Sequence, residues 1–150
     1  MVPVVPIAAG TPLVSPGAQI MQALLPLVGR ILLAAIFLWS AIKDIRNFES
    51  ISKMMGEKGI PIPSVFLLGA VVFLLLGSIA MILGIKARWG AVLLILFLIP
   101  TTVIFHSPTG SEEDFIQFMK NLALIGGLCM VVANGVGPVS FDGPSPSMKK

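Results

Sequence analysis

Four stretches of this sequence are apolar over lengths of about twenty residues, which commits them to a hydrocarbon solvent. They run roughly from Ala23 to Ile42 (ALLPLVGRILLAAIFLWSAI), Ser64 to Gly84 (SVFLLGAVVFLLLGSIAMILG), Gly90 to Phe105 (GAVLLILFLIPTTVIF) and Phe115 to Ala133 (FIQFMKNLALIGGLCMVVA). A bilayer core about 30 Å thick is crossed by about 20 residues of helix. Helix is the form these segments can take there, because it satisfies every backbone polar group from within. Only 11% of the 150 residues are charged and 56% are hydrophobic, whereas a soluble domain is roughly a quarter charged. The expected fold is all-α: an integral membrane four-helix bundle at 23–133, with spans at 23–42, 64–84, 90–105 and 115–133.

The segments between the spans differ in character. KDIRNFESISKMMGEKGIPI, 43–62, sets Ile45, Phe48, Ile51, Ser52 and Met55 at three- and four-residue steps with charges between them. That spacing predicts a short amphipathic helix lying in the membrane interface after the first span. Ser64 is a candidate N-cap for the second span. Pro100 interrupts the third span, and Thr101 and Thr102 are placed to satisfy the carbonyl it frees. Pro3, Pro6, Pro12 and Pro16 forbid a continuous helix at the N-terminus, so residues 1–22 read as an extended arm. Residues 134–150, rich in Gly, Pro and Ser, read as an irregular surface strap. Such arms become ordered when a partner holds them, which suggests that other membrane subunits contact this chain through them.

Several functional classes are excluded early. The net charge of +3 comes from scattered residues, with no basic stripe interleaved with aromatics, so nucleic acid is not a partner. The single cysteine, Cys129, has no partner for a disulfide or a C-x-x-C site and reads as a buried structural thiol. Trp39 and Trp89 suit the aromatic belts at the two membrane surfaces. Orientation does not follow, because Lys and Arg divide five against five between the two sides, and the positive-inside rule counts only those.

Ionisable groups at membrane depth are functional candidates by default. Arg30 lies inside the first span, to snorkel to headgroups, pair with an acid of the tail, or clamp a polar ligand. Lys43 and Asp44 follow the far end of that span, Asp44 within reach of Lys43 or Arg46. His106, the only histidine, ends the third span. Lys120 and Asn121 open the fourth, ahead of Gly126-Gly127, where another helix can approach closely. His106 and Lys120 flank one loop and therefore emerge on one side, with Glu112, Glu113 and Asp114 between them. A cluster of His, Lys, Asn and carboxylate at an interface can bind a quinone carbonyl and deliver protons to it, since imidazole titrates near neutrality. His106 can equally ligate a chlorophyll magnesium, or simply hydrogen-bond the acidic loop. No set of His or Cys at metal-ligand spacing accompanies it, so no protein-held catalytic metal is expected.

With these residues assembled, the chain resembles the DoxX family of small four-helix membrane proteins. The resemblance is carried by GRILLAAIFLWSAIKDI at 29–45, KGIPIP at 58–63, LLLGSIAMILGIKARWGAVLLILFLIPTTVIFH at 74–106, QFMKNLALIGGL at 117–128 and GVGPVSFD at 135–142. It implies a four-helix bundle and an association with quinone-linked redox chemistry, since relatives include a subunit of a thiosulfate:quinone oxidoreductase. Carried over by position, the family-like polar residues are Arg30, Lys43, His106, Lys120 and Asn121. No cysteine pair for sulfur chemistry matches. The wording of 86–106 looks most like versions from oxygenic phototrophs. Two expectations follow. The first is a non-catalytic subunit of a larger membrane assembly, photosynthetic and in a thylakoid membrane, with bound chlorophyll, carotenoid or lipid. The alternative is a quinone-linked redox subunit in a bacterial-type inner membrane. In both, the cofactor-binding candidates are His106, Lys120, Asn121 and Arg30.

Overall fold

A computed structural model of the protein describes residues 15–106, 108–135 and 137–141. Five helices follow in order: α1 Pro16–Arg46, α2 Phe48–Glu57, α3 Pro63–Leu83, α4 Ala87–Phe105 and α5 Glu112–Asn134. Helices α1, α3, α4 and α5 are long and apolar enough to cross a membrane, and the chain is an integral membrane protein built as a helical bundle.

Helix α1 starts earlier than its apolar run. Ser15 caps it, its hydroxyl accepting the Ala18 N–H at 3.4 Å, and Pro16 occupies the first turn. Proline is pre-organised for that position because its missing N–H would be unpaired there anyway. Residues 16–22, expected as extended arm, are therefore helical. Residues 1–14 of that arm, and 142–150 of the tail, lie outside the described residues. The described part of the tail, 137–141, forms a short irregular strap of bends and a turn.

The short helix expected after the first span is α2. Met55 is its buried residue, and it lies on α3, where Ser52 Oγ meets Ser64 Oγ at 2.9 Å. Ser64 thus serves the α2–α3 contact and not as an N-cap. The capping position of α3 is Ile62, in the left-handed region at φ 48°, and α4 begins the same way at Lys86, φ 46°. Lys58 Nζ stands 5.4 Å from the centre of the Phe105 ring, a cation–π contact that ties the α2–α3 turn to the end of α4. The threonines after Pro100 back-bond to Phe97 O at 2.8 Å and Leu98 O at 2.6 Å. The carbonyl that a proline at 100 frees is that of Leu96, so the hydroxyls reinforce the neighbouring turns instead.

The bundle packs in the spatial order α1, α3, α4, α5. Its core is Ala34, Phe37 and Ala41 of α1, Leu74 and Met81 of α3, Ala91, Leu94 and Leu98 of α4, and Leu128 of α5. Small residues set the tightest approach. The backbones of α3 and α4 meet at Gly77 and Gly90, where a Cβ on either would lie 3.0 Å from the other's carbonyl oxygen. Of the Gly126-Gly127 pair only Gly127 faces a neighbour, Leu33 of α1. Cys129 is exposed on the outer face, which corrects the expectation of a buried thiol. Most of each span faces outward in so slim a bundle, and lipid covers what water would not. Trp39 and Trp89 are likewise exposed, near opposite ends of the bundle.

Candidate functional site

The C-terminal ends of α1 and α4 and the N-terminal end of α5 meet on one side of the bundle. α5 is started there by a capping box. Ser111 Oγ accepts the Asp114 N–H at 3.2 Å, and Asp114 Oδ2 accepts the Ser111 N–H at 3.2 Å and its hydroxyl at 2.9 Å. The other carboxylate oxygen, Oδ1, stands 3.7 Å from His106 Nδ1. That distance exceeds a hydrogen bond, so the contact is electrostatic. His106 Nδ1 is shielded from solvent with no acceptor in hydrogen-bond range.

Between these helix ends lies a crevice of about 240 Å³. Ser40, Lys43 and Asp44 line it from α1, Thr101 and His106 from α4 and its C-cap, and Gln117, Lys120 and Asn121 from α5. Ile36, Phe37, Phe97, Leu98 and Leu124 form its apolar floor. Three of the four candidate residues, His106, Lys120 and Asn121, are thus brought together. Lys120 is exposed, whereas Asn121 is 7% exposed and its Nδ2 donates to Thr102 Oγ1 at 3.0 Å. Thr102 Oγ1 in turn donates to Leu98 O at 2.6 Å, so the amide is fixed by a two-bond chain across α4 and α5. Truncating this chain with Asn121→Ala is expected to lower stability by about 0.6 kcal/mol, the average for interhelical hydrogen bonds in lipid, and by no more than about 1.7 kcal/mol, the largest such value. Detergent-titrated unfolding reads it. A double variant with Thr102→Val should lose little more than either single change.

Arg30 does not belong to this site. It lies fourteen residues before Asp44 on α1, about 21 Å along the helix axis, and packs at the other end of the bundle, where Nη2 donates to Val139 O at 2.6 Å. The α1 contribution of Ser40, Lys43 and Asp44 was not part of the sequence expectation as a site. Asp44 lies within electrostatic reach of Lys43, and the two line the crevice together. The available signal was the i, i+3, i+4 spacing of 40, 43 and 44, which puts all three on one helix face. The matching stripe on α5 is 117, 120, 121 and 124.

A second, larger hollow of about 640 Å³ lies on the other flank of α4, between α3, α4 and the turn after α2. Its walls include Met55, Ile60, Phe66, Phe73, Leu96, Pro100 and Ile104. Phe97 and Thr101 line both spaces. A polar recess and an apolar groove therefore share one wall a single turn of α4 in height. Chemically the recess offers ammonium and amide donors, an imidazole backed by a carboxylate, and one further carboxylate. Among the described residues no three His, Cys, Asp or Glu side chains converge as metal ligands.

Comparison with known proteins bears on this arrangement. A family model described as DoxX matches residues 25–107, which runs from within α1 through α4 to His106 and the residue after it. The Escherichia coli (strain K12) protein named inner membrane protein YqjF is 30% identical over 119 residues, 77% of this chain and 88% of its own. Inner membrane protein YphA of the same organism is 30% identical over 126 residues, 81% of this chain and 90% of its own. No solved structure matches the chain at a significant level.

Proposed function

The chain belongs to the DoxX family of membrane proteins, and we propose that it is the quinone-binding membrane subunit of a redox assembly, with its ligand head in the α1–α4–α5 crevice. The observation that carries this reading is the wall shared by the polar crevice and the apolar groove, Phe97 and Thr101. A quinone is an amphiphile of that shape, a small ring with two carbonyl acceptors on a long apolar tail. In this reading Lys120 donates to one carbonyl, and Asn121, bonded to Thr102, orients the ring. His106, with Asp114 Oδ1 3.7 Å from Nδ1, offers Nε2 to the ligand.

Reducing a quinone to a quinol takes two electrons and two protons. The chain's part is to bind, orient and protonate, and the electrons come from a redox partner, which joins the subunit and quinone readings in one. We do not extend the proposal to a thylakoid membrane or a pigment on His106, because both relatives are named as inner membrane proteins of a bacterium.

The test is binding of a decyl-substituted benzoquinone to the full chain in nanodiscs, followed by quenching of Trp39, the neighbour of Ser40. His106→Ala and Lys120→Ala are each expected to weaken binding about tenfold, the loss of one charge-assisted hydrogen bond. If decylbenzene, which has the tail and ring but no carbonyl, binds as well as the quinone, the reading is wrong.

A further inference from the structure

At the opposite end of the bundle the Arg30 side chain is 2% exposed. Its Nη2 donates to Val139 O, while Nε and Nη1 are buried with no acceptor. The surrounding backbone is shaped around this group. Gly84, the residue after α3, takes φ 70°, and a Cβ there would collide with Arg30 Nη1 and with Ser140. The strap closes over the group from the other side, and Phe141 N donates to Leu83 O at 3.3 Å. A guanidinium presents a planar fork of donors, and here half of that fork is removed from water and unanswered. Burying a cation without a counter-charge is strongly unfavourable, and among the described residues no carboxylate pairs with Arg30, so the corner calls for an anion.

The charge distribution points the same way. Among the described residues at this end the ionisable side chains are Arg30, Lys86 and Arg88, and Arg88 Nε is also buried without an acceptor. Every described acid lies in α2 or in the ends of α1 and α5 that flank the crevice, on the far side of the membrane. Arg30 meets the residue that ends α3, so it sits at the depth where the spans end and headgroups begin. A hollow of about 330 Å³ adjoins it, with Leu27, Ile82, Leu83 and Phe141 as apolar walls. We propose that this corner binds one phosphate-bearing anion, the headgroup of an anionic phospholipid, with the phosphate accepting from an Arg30 N–H that the backbone leaves unanswered and the first acyl carbons against those walls. Basic pockets between spans take such headgroups as a general pattern. The bound lipid then ties α1, the end of α3 and the C-terminal strap together.

The test is native mass spectrometry of the full chain released from detergent, with dioleoyl phosphatidylglycerol and dioleoylglycerol as probes. The two share their acyl chains and differ in the phosphate headgroup. The expected result is one phosphatidylglycerol per chain, preferred about tenfold by virtue of the charged hydrogen bonds. In Arg30→Met that preference disappears, and in Arg30→Lys, which keeps the charge but loses the fork, it is intermediate. If millimolar inorganic phosphate raises the unfolding midpoint of the wild type but not of Arg30→Met, and no lipid preference appears, the same site holds free phosphate. Equal retention of the two lipids by the wild type, with no response to phosphate, overturns the proposal without recourse to any variant. A preference that emerges only after Asp142→Asn overturns it too, because the chain's own acid then occupies the place. Neither result touches the crevice at the other end.

Discussion

Replacing Gly77 with alanine is expected to destabilise the bundle by about 1 to 3 kcal/mol, the range for overpacking a tight contact, and replacing it with leucine to keep α3 and α4 apart. A Cβ at Gly77 would lie 2.6 Å from Leu94 Cγ and 3.0 Å from the carbonyl oxygen of Gly90. The side chain of Leu94 can shift, but the Gly90 backbone cannot without moving α4. Gly90 is locked reciprocally, its built Cβ falling 2.8 Å from Ala80 Cβ. Between helices in lipid there is no hydrophobic driving force, so close backbone packing is what holds them. Detergent-titrated unfolding followed through Trp39 and Trp89 gives the measurement. Gly69→Ala is the control, since its Cβ would meet nothing within 4 Å, and better helix propensity makes that change neutral or slightly stabilising. Equal midpoints for the two alanine variants would refute the packing account.

The largest effect on binding is expected from Thr101→Phe. Thr101 lines both the crevice and the apolar groove, and an aromatic ring there takes up the space at their shared wall. Affinity for the decyl-benzoquinone should fall about a hundredfold or more, equivalent to about 2.7 kcal/mol. Thr101→Val keeps the shape and loses only the hydrogen bond to Phe97 O, so it should bind within about threefold of wild type. Unaltered binding by Thr101→Phe would show that the ligand does not lie along this wall.

The spans were legible because lipid tolerates few alternatives to an apolar helix. Their ends were less so, and each error has a local cause. Four prolines in the first sixteen residues looked like helix breakers, yet Pro16 stands at the single helical position that favours it. α5 starts at Glu112 and not near Phe115, because Ser111 and Asp114 form a capping box that apolar counting ignores. His106, Lys120 and Asn121 could be grouped from sequence because one loop joins their helices. The spacing of Lys43 and Asp44 puts them on one face of α1 with Ser40, but that spacing does not say that the face meets α5. Arg30 was placed in the same functional set and belongs to another corner. Depth along the helix, about 21 Å from Asp44, separates the two more decisively than residue type unites them. Cys129 faces outward because in a bundle this slim an apolar position is more often outside than inside.

Helix α1 has 31 residues and α4 has 19, which are about 46 Å and 28 Å of helix. No single bilayer thickness matches both. The strap reaches α1 at Pro26, the neighbour of Gly137, so the first ten residues of α1 run on past the level that the other spans reach, with Ile20, Met21, Leu24 and Leu25 exposed. A membrane fitted to α4 leaves these side chains among headgroups, and one fitted to α1 stretches over the short helices. Hydrophobic mismatch of this kind is relieved by tilt or by local thickening, at a fraction of a kcal/mol per Å. Acyl-chain length is therefore expected to act first on α1, the helix that carries Ser40, Lys43 and Asp44 into the crevice.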